Sequence, residues 1–185
     1  MTIALTGFMG CGKSSVGRKL SELLCCPFMD LDEIIEERAG KGIPEIFADE
    51  GEAAFRKMEH EALEHIFNTQ DTRQSALYPE SEVTAVLAPG GGTVMRKECA
   101  EILKDNTLCI YLRASVETLV RNLENESEGR PMLVSDKPLH ERIKELLDLR
   151  SSTYEATAHV IIDTDGRSID DVAAAIISQA HLRGA

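Results

Sequence analysis

The segment GFMGCGKS, residues 7–14, matches the pattern G-x-x-x-x-G-K-[ST] at every fixed position. Glycines at these spacings let the backbone wrap closely around a phosphate group and point its N–H groups inward, in conformations that a Cβ would obstruct. Lys13 can reach the outer phosphates of a nucleotide, and the Ser14 hydroxyl can join the oxygen shell of a Mg²⁺ ion. The segment therefore predicts a phosphate-binding loop. By itself it indicates nucleotide binding only, because GTPases, motor ATPases and small-molecule kinases share it.

The residues on either side of this loop have the pattern that its mechanism requires. Residues 2–6 form a short apolar run with β-branched side chains, which is typical of a buried strand. Residues 13–25 carry apolar side chains at helical spacing, and the start of this helix adds the positive end of its dipole to the phosphate site. A strand before the loop and a helix after it argue against a glycine-rich turn that fits the pattern by chance.

The rest of the chain continues the alternation of strands and helices. Further strands are predicted at residues 27–31, 82–88, 107–112 and 159–163. Further helices are predicted at residues 31–39, 43–67 with a break near Gly51, 96–104, 116–123, 139–154 and 168–180, the last with Ser168 as its N-cap. Five short apolar strands that alternate with helices predict an α/β fold, in which a parallel sheet is covered on both faces. Ligands of such folds bind at the carboxyl ends of the strands.

Composition and charge limit the classes of function. The 185 residues suit one domain, and the formal net charge of −12 argues against a general nucleic-acid binder, which needs a basic surface. The first residues do not resemble a secretory signal, and no apolar stretch is long enough to span a bilayer. Five cysteines without zinc-ligand spacing fit reduced, mostly buried thiols. We therefore expect a cytoplasmic protein that binds neither nucleic acid nor membrane and concentrates its cationic side chains at an anion site.

Two aspartates end the second predicted strand. Alternate residues of a strand point to the same side, so Asp30 and Asp32 can face one ligand. One carboxylate can support Mg²⁺ through water, while the other orients or deprotonates an attacking hydroxyl. The alternative is a structural role for Asp32 as the cap of the following helix.

An arginine and a run of three glycines form two further clusters. Arg56, in the segment GEAAFR, could offer its planar guanidinium to a carboxylate. Alternatively, it is a solvated arginine that pairs with Glu52 or Glu59. The glycines at residues 90–92 follow the third predicted strand, where they could permit close approach of the backbone to a ligand or could simply form a turn.

Together these segments resemble the shikimate kinase family over residues 3–177. The segments that carry the resemblance are GFMGCGKSS, FMDLDEIIEERAGKGIPEIFADEGEAAFRKME, PGGG, EGRPML and RSSTYEATAHVIIDT. The resemblance implies a single P-loop kinase domain over residues 1–185, with a five-stranded parallel sheet of order 2-3-1-4-5. It also implies a substrate-binding helical region near residues 31–67 and a lid near residues 124–138. The implied reaction transfers the γ-phosphoryl group of ATP to the 3-hydroxyl of shikimate, with Mg²⁺ as cofactor, in a monomeric enzyme of the pathway to chorismate and the aromatic amino acids.

The resemblance also assigns roles to individual residues. The residues that would bind ATP are Gly10, Cys11, Gly12, Lys13, Ser14, Ser15, Arg130 and Arg167. The residues that would bind shikimate are Asp32, Arg56, Gly90, Gly91, Gly92 and Arg150. Asp32 would act as the base, Lys13 and Arg130 would be the other catalytic residues, and Ser14 and Asp30 would hold the metal. Arg130 would close over the transferring phosphate, Arg167 would contact the adenine, and apolar walls would come from Phe47, Phe55, Pro131 and Met132.

Some features depart from the family pattern. Met132 replaces the usual leucine, a swap that conserves volume, whereas Pro89 affects the geometry of the glycine turn. The polar segment at residues 68–81 is longer than usual and leaves room for a family-atypical contact.

Two other functions remain to be weighed. One is a gluconate kinase of the same fold, which is not expected to combine G-E-x-x-F-R with the triple glycine and R-P-x-L. The other is a P-loop protein that binds a nucleotide without catalysis, which would have lost Lys13, Asp32 or an arginine. The chain has no guanine-reading N-K-x-D motif, which disfavours a GTPase.

Overall fold

In the computed structural model, which describes residues 1–69, 83–124, 133 and 136–184, five strands form one parallel sheet. The strands are β1 (Thr2–Thr6), β2 (Phe28–Asp30), β3 (Ala85–Ala88), β4 (Thr107–Arg113) and β5 (Val160–Asp163). Their order across the sheet is β2-β3-β1-β4-β5, and every neighbouring pair is parallel. The predicted α/β fold with strand order 2-3-1-4-5 is therefore confirmed.

Helices connect the strands and cover both faces of the sheet. They are α1 (Lys13–Leu24), α2 (Leu31–Ala39), α3 (Ile43–Asp49), α4 (Gly51–Thr69), α5 (Lys97–Asn106), α6 (Val116–Leu123), α7 (Leu139–Thr157) and α8 (Ile169–Gly184). A 3₁₀ turn, Thr93–Met95, lies between β3 and α5. Within the described ranges, no helix is both long enough and apolar enough to cross a membrane.

The centre of the sheet explains where the phosphate-binding loop lies. β1 pairs with β3 on one side and with β4 on the other, and Ile3, Ala4 and Leu5 have no exposed surface. A strand that is covered on both faces is apolar along its whole length, which is why residues 2–6 show no alternation of polar and apolar side chains. The chain leaves β1 at its carboxyl end and reaches the start of α1 at Lys13, so the loop lies at the ligand-binding edge of the sheet.

Several predicted element boundaries are confirmed and others shift. The break near Gly51 separates α3 from α4, and Gly51 has a φ of 80°, a left-handed conformation that favours glycine. Ser168 caps α8 as predicted, because its Oγ accepts a hydrogen bond from the backbone N of Asp171 at 3.1 Å. α7 continues to Thr157, three residues past its predicted end, where the Thr157 hydroxyl donates to the carbonyl of Thr153. β3 begins at Ala85, later than predicted, and residue 82 lies outside the described ranges.

The cysteines are free thiols, and most of them are buried, as predicted. Cys11, Cys26, Cys99 and Cys109 are buried, whereas Cys25 is exposed. Burial raises the pKa of both Cys99 and Cys109 to about 11. These two side chains therefore remain protonated at neutral pH and pack as small apolar groups.

Candidate active site

The phosphate-binding loop takes backbone conformations that its glycines make possible. Gly7, Gly10 and Gly12 have φ angles of 142°, 79° and 96°. A Cβ at Gly7 would lie 2.7 Å from the carbonyl oxygen of Leu112, so this position also lacks space for a side chain. The loop ends at the N-terminus of α1, whose free N–H groups and dipole favour an anion.

The side chain of Lys13 folds back over this loop. Its Nζ donates hydrogen bonds to the carbonyl oxygens of Gly7 and Phe8, each at 3.0 Å. The ammonium group is therefore held at the edge of the loop by neutral acceptors. A bound phosphate would offer it a charged acceptor, which makes a stronger hydrogen bond than a carbonyl oxygen does.

Asp30 connects the loop to the second strand and to α2. The Ser14 hydroxyl donates to Asp30 Oδ2 at 2.8 Å, and the backbone N–H of Asp32 donates to Asp30 Oδ1 at 3.1 Å. Asp30 is the N-cap residue of α2, so the interpretation of Asp32 as the cap was wrong. The Ser14 and Asp30 oxygens form the kind of donor pair that Mg²⁺ prefers beside a nucleotide. In the described part of the chain no three His, Cys, Asp or Glu side chains are grouped so that they could hold a metal ion.

Two adjacent pockets lie at this edge of the sheet. The first has a volume of about 420 Å³ and is built around the phosphate-binding loop. Its lining comprises Met9, Gly10, Gly12, Lys13, Ser14, Ser15, Asp30, Asp32, Ala88, Pro89, Gly91 and Asn122. Most of the predicted ATP-binding residues and both predicted metal-binding residues therefore meet in one cavity.

The second pocket has a volume of about 160 Å³ and contains the predicted substrate-binding residues. Its lining comprises Met9, Asp32, Glu36, Ile43, Pro44, Phe47, Phe55, Arg56, Glu59, Gly90, Gly91, Gly92 and Arg150. Met9, Asp32 and Gly91 line both pockets. Asp32 thus lies on the wall between the phosphate-binding loop and the two arginines.

Arg56 lines the second pocket and is held by two carboxylates. Its Nη1 donates to Glu59 Oε2 at 2.7 Å, while its Nε and Nη2 donate to Glu52 Oε1 at 3.3 and 3.1 Å. Burial by itself would lower the pKa of Arg56, but Glu59 and Glu52 outweigh that effect and the pKa is raised. The pairing with Glu52 and Glu59 that the sequence offered as one alternative is therefore confirmed; Arg56 also lines the pocket, and its contact with a ligand carboxylate stays a prediction. The bonds to Glu52 and Glu59 leave N–H donors of the guanidinium for a ligand.

Glu59 is a buried carboxylate that sequence reasoning missed as part of the site. Only 1% of its surface is exposed, and it accepts hydrogen bonds from Arg56 and from the Thr93 hydroxyl, the latter at 2.5 Å. The sequence does contain a signal. Glu59 falls at helical spacing between Phe55 and Leu63 on the apolar face of α4, and an acidic residue on such a face needs a buried partner.

Arg150 is a buried cation in the wall of the second pocket. Its residue is 6% exposed, and its Cζ lies 5.8 Å from the centroid of the Phe8 ring. Its Nη1 is buried without a hydrogen-bond partner among the described residues. A buried guanidinium nitrogen that lacks an acceptor is unfavourable, so this position favours an anionic ligand.

The three glycines bring the backbone against the side chains of the site. A Cβ at Gly90 would lie 2.8 Å from Asp32 Oδ1, and a Cβ at Gly92 would lie 2.5 Å from both terminal nitrogens of Arg56. A Cβ at Gly91 would lie 3.0 Å from the backbone N of Met9 in the phosphate-binding loop. The segment also turns, since the N–H of Thr93 donates to the carbonyl of Gly90. The turn that the sequence offered as one alternative is therefore confirmed, whereas close approach to a ligand stays a prediction. Pro89 lines the first pocket.

Other residues lie apart from these pockets or were not foreseen. Arg167 lies in the exposed turn after β5 and lines neither pocket. Arg130, with Pro131 and Met132, lies outside the described residues.

Asn122, which the sequence did not single out, lines the first pocket and donates from Nδ2 to the carbonyl of Gly10 at 2.8 Å. Nothing in the motif could have indicated Asn122, because it comes from α6, far away along the chain.

Known proteins resemble the chain over almost its whole length. The family model for shikimate kinase matches residues 9–181. A shikimate kinase of Dictyoglomus turgidum is 38% identical over 180 residues, which is 96% of each chain. One of Thermus thermophilus is 38% identical over 187 residues, which is 99% of this chain and 94% of the relative.

Solved structures give the same result for the fold. A shikimate kinase from Acinetobacter baumannii in complex with shikimate superimposes with a TM-score of 0.85 at 32% identity, over 98% of this chain and 93% of the other. A shikimate kinase from Aquifex aeolicus superimposes with a TM-score of 0.80 at 30% identity, over 100% and 98% of the two chains. The structural resemblance therefore includes the segments that build both pockets.

Proposed function

Because the chain belongs to the shikimate kinase family, we propose that its two pockets hold ATP and shikimate side by side, so that the γ-phosphoryl group passes directly to the 3-hydroxyl of shikimate. The protein is an ATP-dependent kinase with an alcohol acceptor. The observation that carries the arrangement is the shared wall, since Met9, Asp32 and Gly91 line both pockets. Because the pockets share these residues, they adjoin each other. Two substrates bound in them can therefore bring their reacting atoms together without a covalent enzyme intermediate.

The first pocket would bind the phosphates of ATP. Backbone N–H groups from Gly10 to Ser15 and the N-terminus of α1 would surround the phosphates, and Lys13 would turn from its carbonyl acceptors to the β- and γ-oxygens. Mg²⁺, which supplies charge neutralisation when it is bound, would be held by Ser14 and Asp30 together with phosphate oxygens. Asn122 supports this site through the carbonyl of Gly10.

The second pocket would bind the shikimate carboxylate through its arginines. Arg150 offers a buried Nη1, and Arg56 offers donors that its bonds to Glu52 and Glu59 leave available. The backbone at Gly90, Gly91 and Gly92 comes close enough to donate N–H groups to the same ligand. Phe47 and Phe55, whose ring centroids are 4.9 Å apart, would form the apolar wall.

Asp32 would take the proton of the attacking hydroxyl. The new bond forms between the shikimate oxygen and the γ-phosphorus, the bond from that phosphorus to the β,γ-bridging oxygen breaks, and ADP leaves. The proton of the hydroxyl passes to the Asp32 carboxylate. Asp32 is suited to this role because it lies between the pockets and because the cap at Asp30 fixes its backbone.

Four further assignments belong to the proposal. Arg130 would close over the transferring phosphate as part of a lid near residues 124–138, and Arg167 would contact the adenine. The substrate-binding region near residues 31–67 comprises α2, α3 and most of α4, and it supplies eight of the residues that line the second pocket: Asp32, Glu36, Ile43, Pro44, Phe47, Phe55, Arg56 and Glu59. We also propose that the enzyme acts as a monomer.

An acceptor panel tests the proposal. Release of ADP is followed with a coupled assay in the presence of ATP, Mg²⁺ and either shikimate or gluconate, and the product is identified by phosphorus NMR. We expect turnover with shikimate and none with 3-deoxyshikimate, which lacks the attacking oxygen. Preference for gluconate would show that the protein is another kinase of the same fold, and ADP release that is independent of any acceptor would refute transfer to an alcohol.

A further inference from the structure

The hydroxyl of Tyr154 contacts the glycine turn of the second pocket from outside the pocket. Tyr154 lies on α7, one helical turn after Arg150, and has no exposed surface. Its Oη donates a hydrogen bond to the carbonyl oxygen of Gly91, and the positive charge of Arg150 acts on the same hydroxyl. Tyr154 itself does not line the pocket. We propose that Tyr154 is a positioning residue, which fixes the peptide between Gly91 and Gly92 so that its N–H is preorganised for the anionic group of the acceptor.

The bond to Gly91 matters because this segment has no side chains to hold it. Residues 90–92 are three glycines, whose backbone has more conformational freedom than any other run of residues. The carbonyl of Gly91 and the N–H of Gly92 belong to one planar peptide, in which they point in opposite directions. When Tyr154 fixes that carbonyl, it also fixes the direction of the Gly92 N–H, which points away from Tyr154.

Arg150, which lines the same pocket, is a cation with little freedom. A long arginine side chain loses considerable rotamer entropy when it is held by a ligand, and part of that loss is already met when the free protein holds it. Burial and the Phe8 ring restrict the guanidinium, while Nη1 is left for the ligand. This is the arrangement expected of a preorganised anion site.

Tyr154 can act as a fixed point because its own ring is held by the sheet. It stacks on Tyr111 of β4 with ring centroids 5.1 Å apart and an angle of 23° between the planes. Burial raises the pKa of Tyr154 far above its usual range, so that the hydroxyl remains a donor at neutral pH. A rigid strand, two stacked rings and one hydroxyl thus connect the core to Gly91.

The inference rests on the proposed function, and the replacement Tyr154→Phe tests it. The variant keeps the stacked ring and removes only the hydroxyl with its hydrogen bond to Gly91. We expect the KM for shikimate to rise about tenfold, the size expected for the loss of one neutral hydrogen bond, while the KM for ATP changes less than about twofold. Tyr111→Phe is the matched control, because it removes a buried hydroxyl from the same ring stack without touching Gly91 or Arg150. An unchanged KM for shikimate in Tyr154→Phe, or an equal rise for both substrates, would overturn the inference.

A second measurement is made on the unaltered protein and does not depend on the folding of Tyr154→Phe. The chain has three tyrosines, Tyr78, Tyr111 and Tyr154, so labelling with ¹³Cζ-tyrosine gives three signals; Tyr78→Phe and Tyr111→Phe each remove one, and the third belongs to Tyr154. We expect saturating shikimate, without nucleotide, to shift the Tyr154 signal more than the Tyr111 signal. A Tyr154 signal that shikimate leaves in place would overturn the inference. Failure of the unaltered protein to phosphorylate shikimate would refute the proposed function, which distinguishes the two outcomes.

Discussion

The two pockets offer different atoms of the chain to an anion. Half of the residues that line the first come from one short segment, residues 9–15, whose N–H groups and helix N-terminus would surround the phosphates. The second is lined by side chains from α2, α3, α4 and α7 and by the glycine turn, with Thr93 behind Glu59 and Tyr154 behind Gly91. A backbone site tolerates changes of side chain at positions where the residue faces away. A site made of charged side chains depends on every partner that orients or neutralises them.

Lys13 is the main exception to the backbone character of the first pocket, and its replacement should have the largest effect. In Lys13→Ala we expect kcat to fall by about a thousandfold, because one charge that neutralises the transferring phosphate is lost from a preorganised site. The fold should be preserved, since the hydrogen bonds that Lys13 makes to described residues go only to the loop it covers. Steady-state kinetics and thermal unfolding measure the two quantities. Turnover at the level of the unaltered enzyme would refute the role of the loop.

Arg56 provides the corresponding test of the second pocket. In Arg56→Ala we expect the KM for shikimate to rise about a hundredfold, which corresponds to the loss of charge-assisted hydrogen bonds, and the KM for ATP to change less than about threefold. The neighbouring exposed cation supplies the control, because Lys57→Ala removes the same charge from α4 outside the pocket. A change in the KM for ATP alone would show that Arg56 acts in the first pocket and not in the second.

The replacement of Arg56 has a second consequence that needs its own control. It leaves the carboxylate of Glu59 buried without its cation, and such a charge typically costs about 3–5 kcal/mol of stability. The double variant Arg56→Ala with Glu59→Gln removes both charges. Recovery of the unfolding temperature without recovery of the KM for shikimate would separate the structural role of the ion pair from the binding of the acceptor.

The contrast between the pockets also explains what the sequence could reveal. The phosphate-binding loop is local, so eight residues predicted its position, its glycines and Lys13, and the strand and helix patterns on either side predicted the fold. Asp32, Arg56 and Arg150 could be placed together only through the resemblance to a family, because they come from separate elements. Glu59 and Tyr154 look like an ordinary helix acid and a core aromatic residue, since their roles depend on partners that packing supplies.

Glu59 shows how strongly the second pocket depends on the partners of its charged side chains. In Glu59→Gln the shape is kept, but an amide group replaces the carboxylate that faces Arg56 Nη1 and the ion pair is lost. We expect the KM for shikimate to rise about tenfold, because the guanidinium is no longer oriented by a buried charge. Glu52→Gln is the matched comparison, since Glu52 contacts the same arginine with a half-exposed side chain and should have a smaller effect. Equal effects of the two variants would show that burial of Glu59 is unimportant for binding.

Replacement of Cys11 tests how little the first pocket depends on side chains, and it should have the smallest effect of these variants. Cys11 is buried within the phosphate-binding loop at 5% exposure, its backbone N–H donates to the carbonyl of Phe8, and it does not line the first pocket. In Cys11→Ala we therefore expect kcat/KM for ATP to stay within about threefold and stability to fall by about 1 kcal/mol, the loss expected for one small buried group. Kinetics with ATP as the varied substrate and denaturant unfolding measure both. The sulfur of Cys11 lies 4.0 Å from Lys13 Nζ. A tenfold loss of kcat/KM at unchanged stability would mean that this sulfur orients the lysine. The first pocket would then depend on side chains, as the second one does.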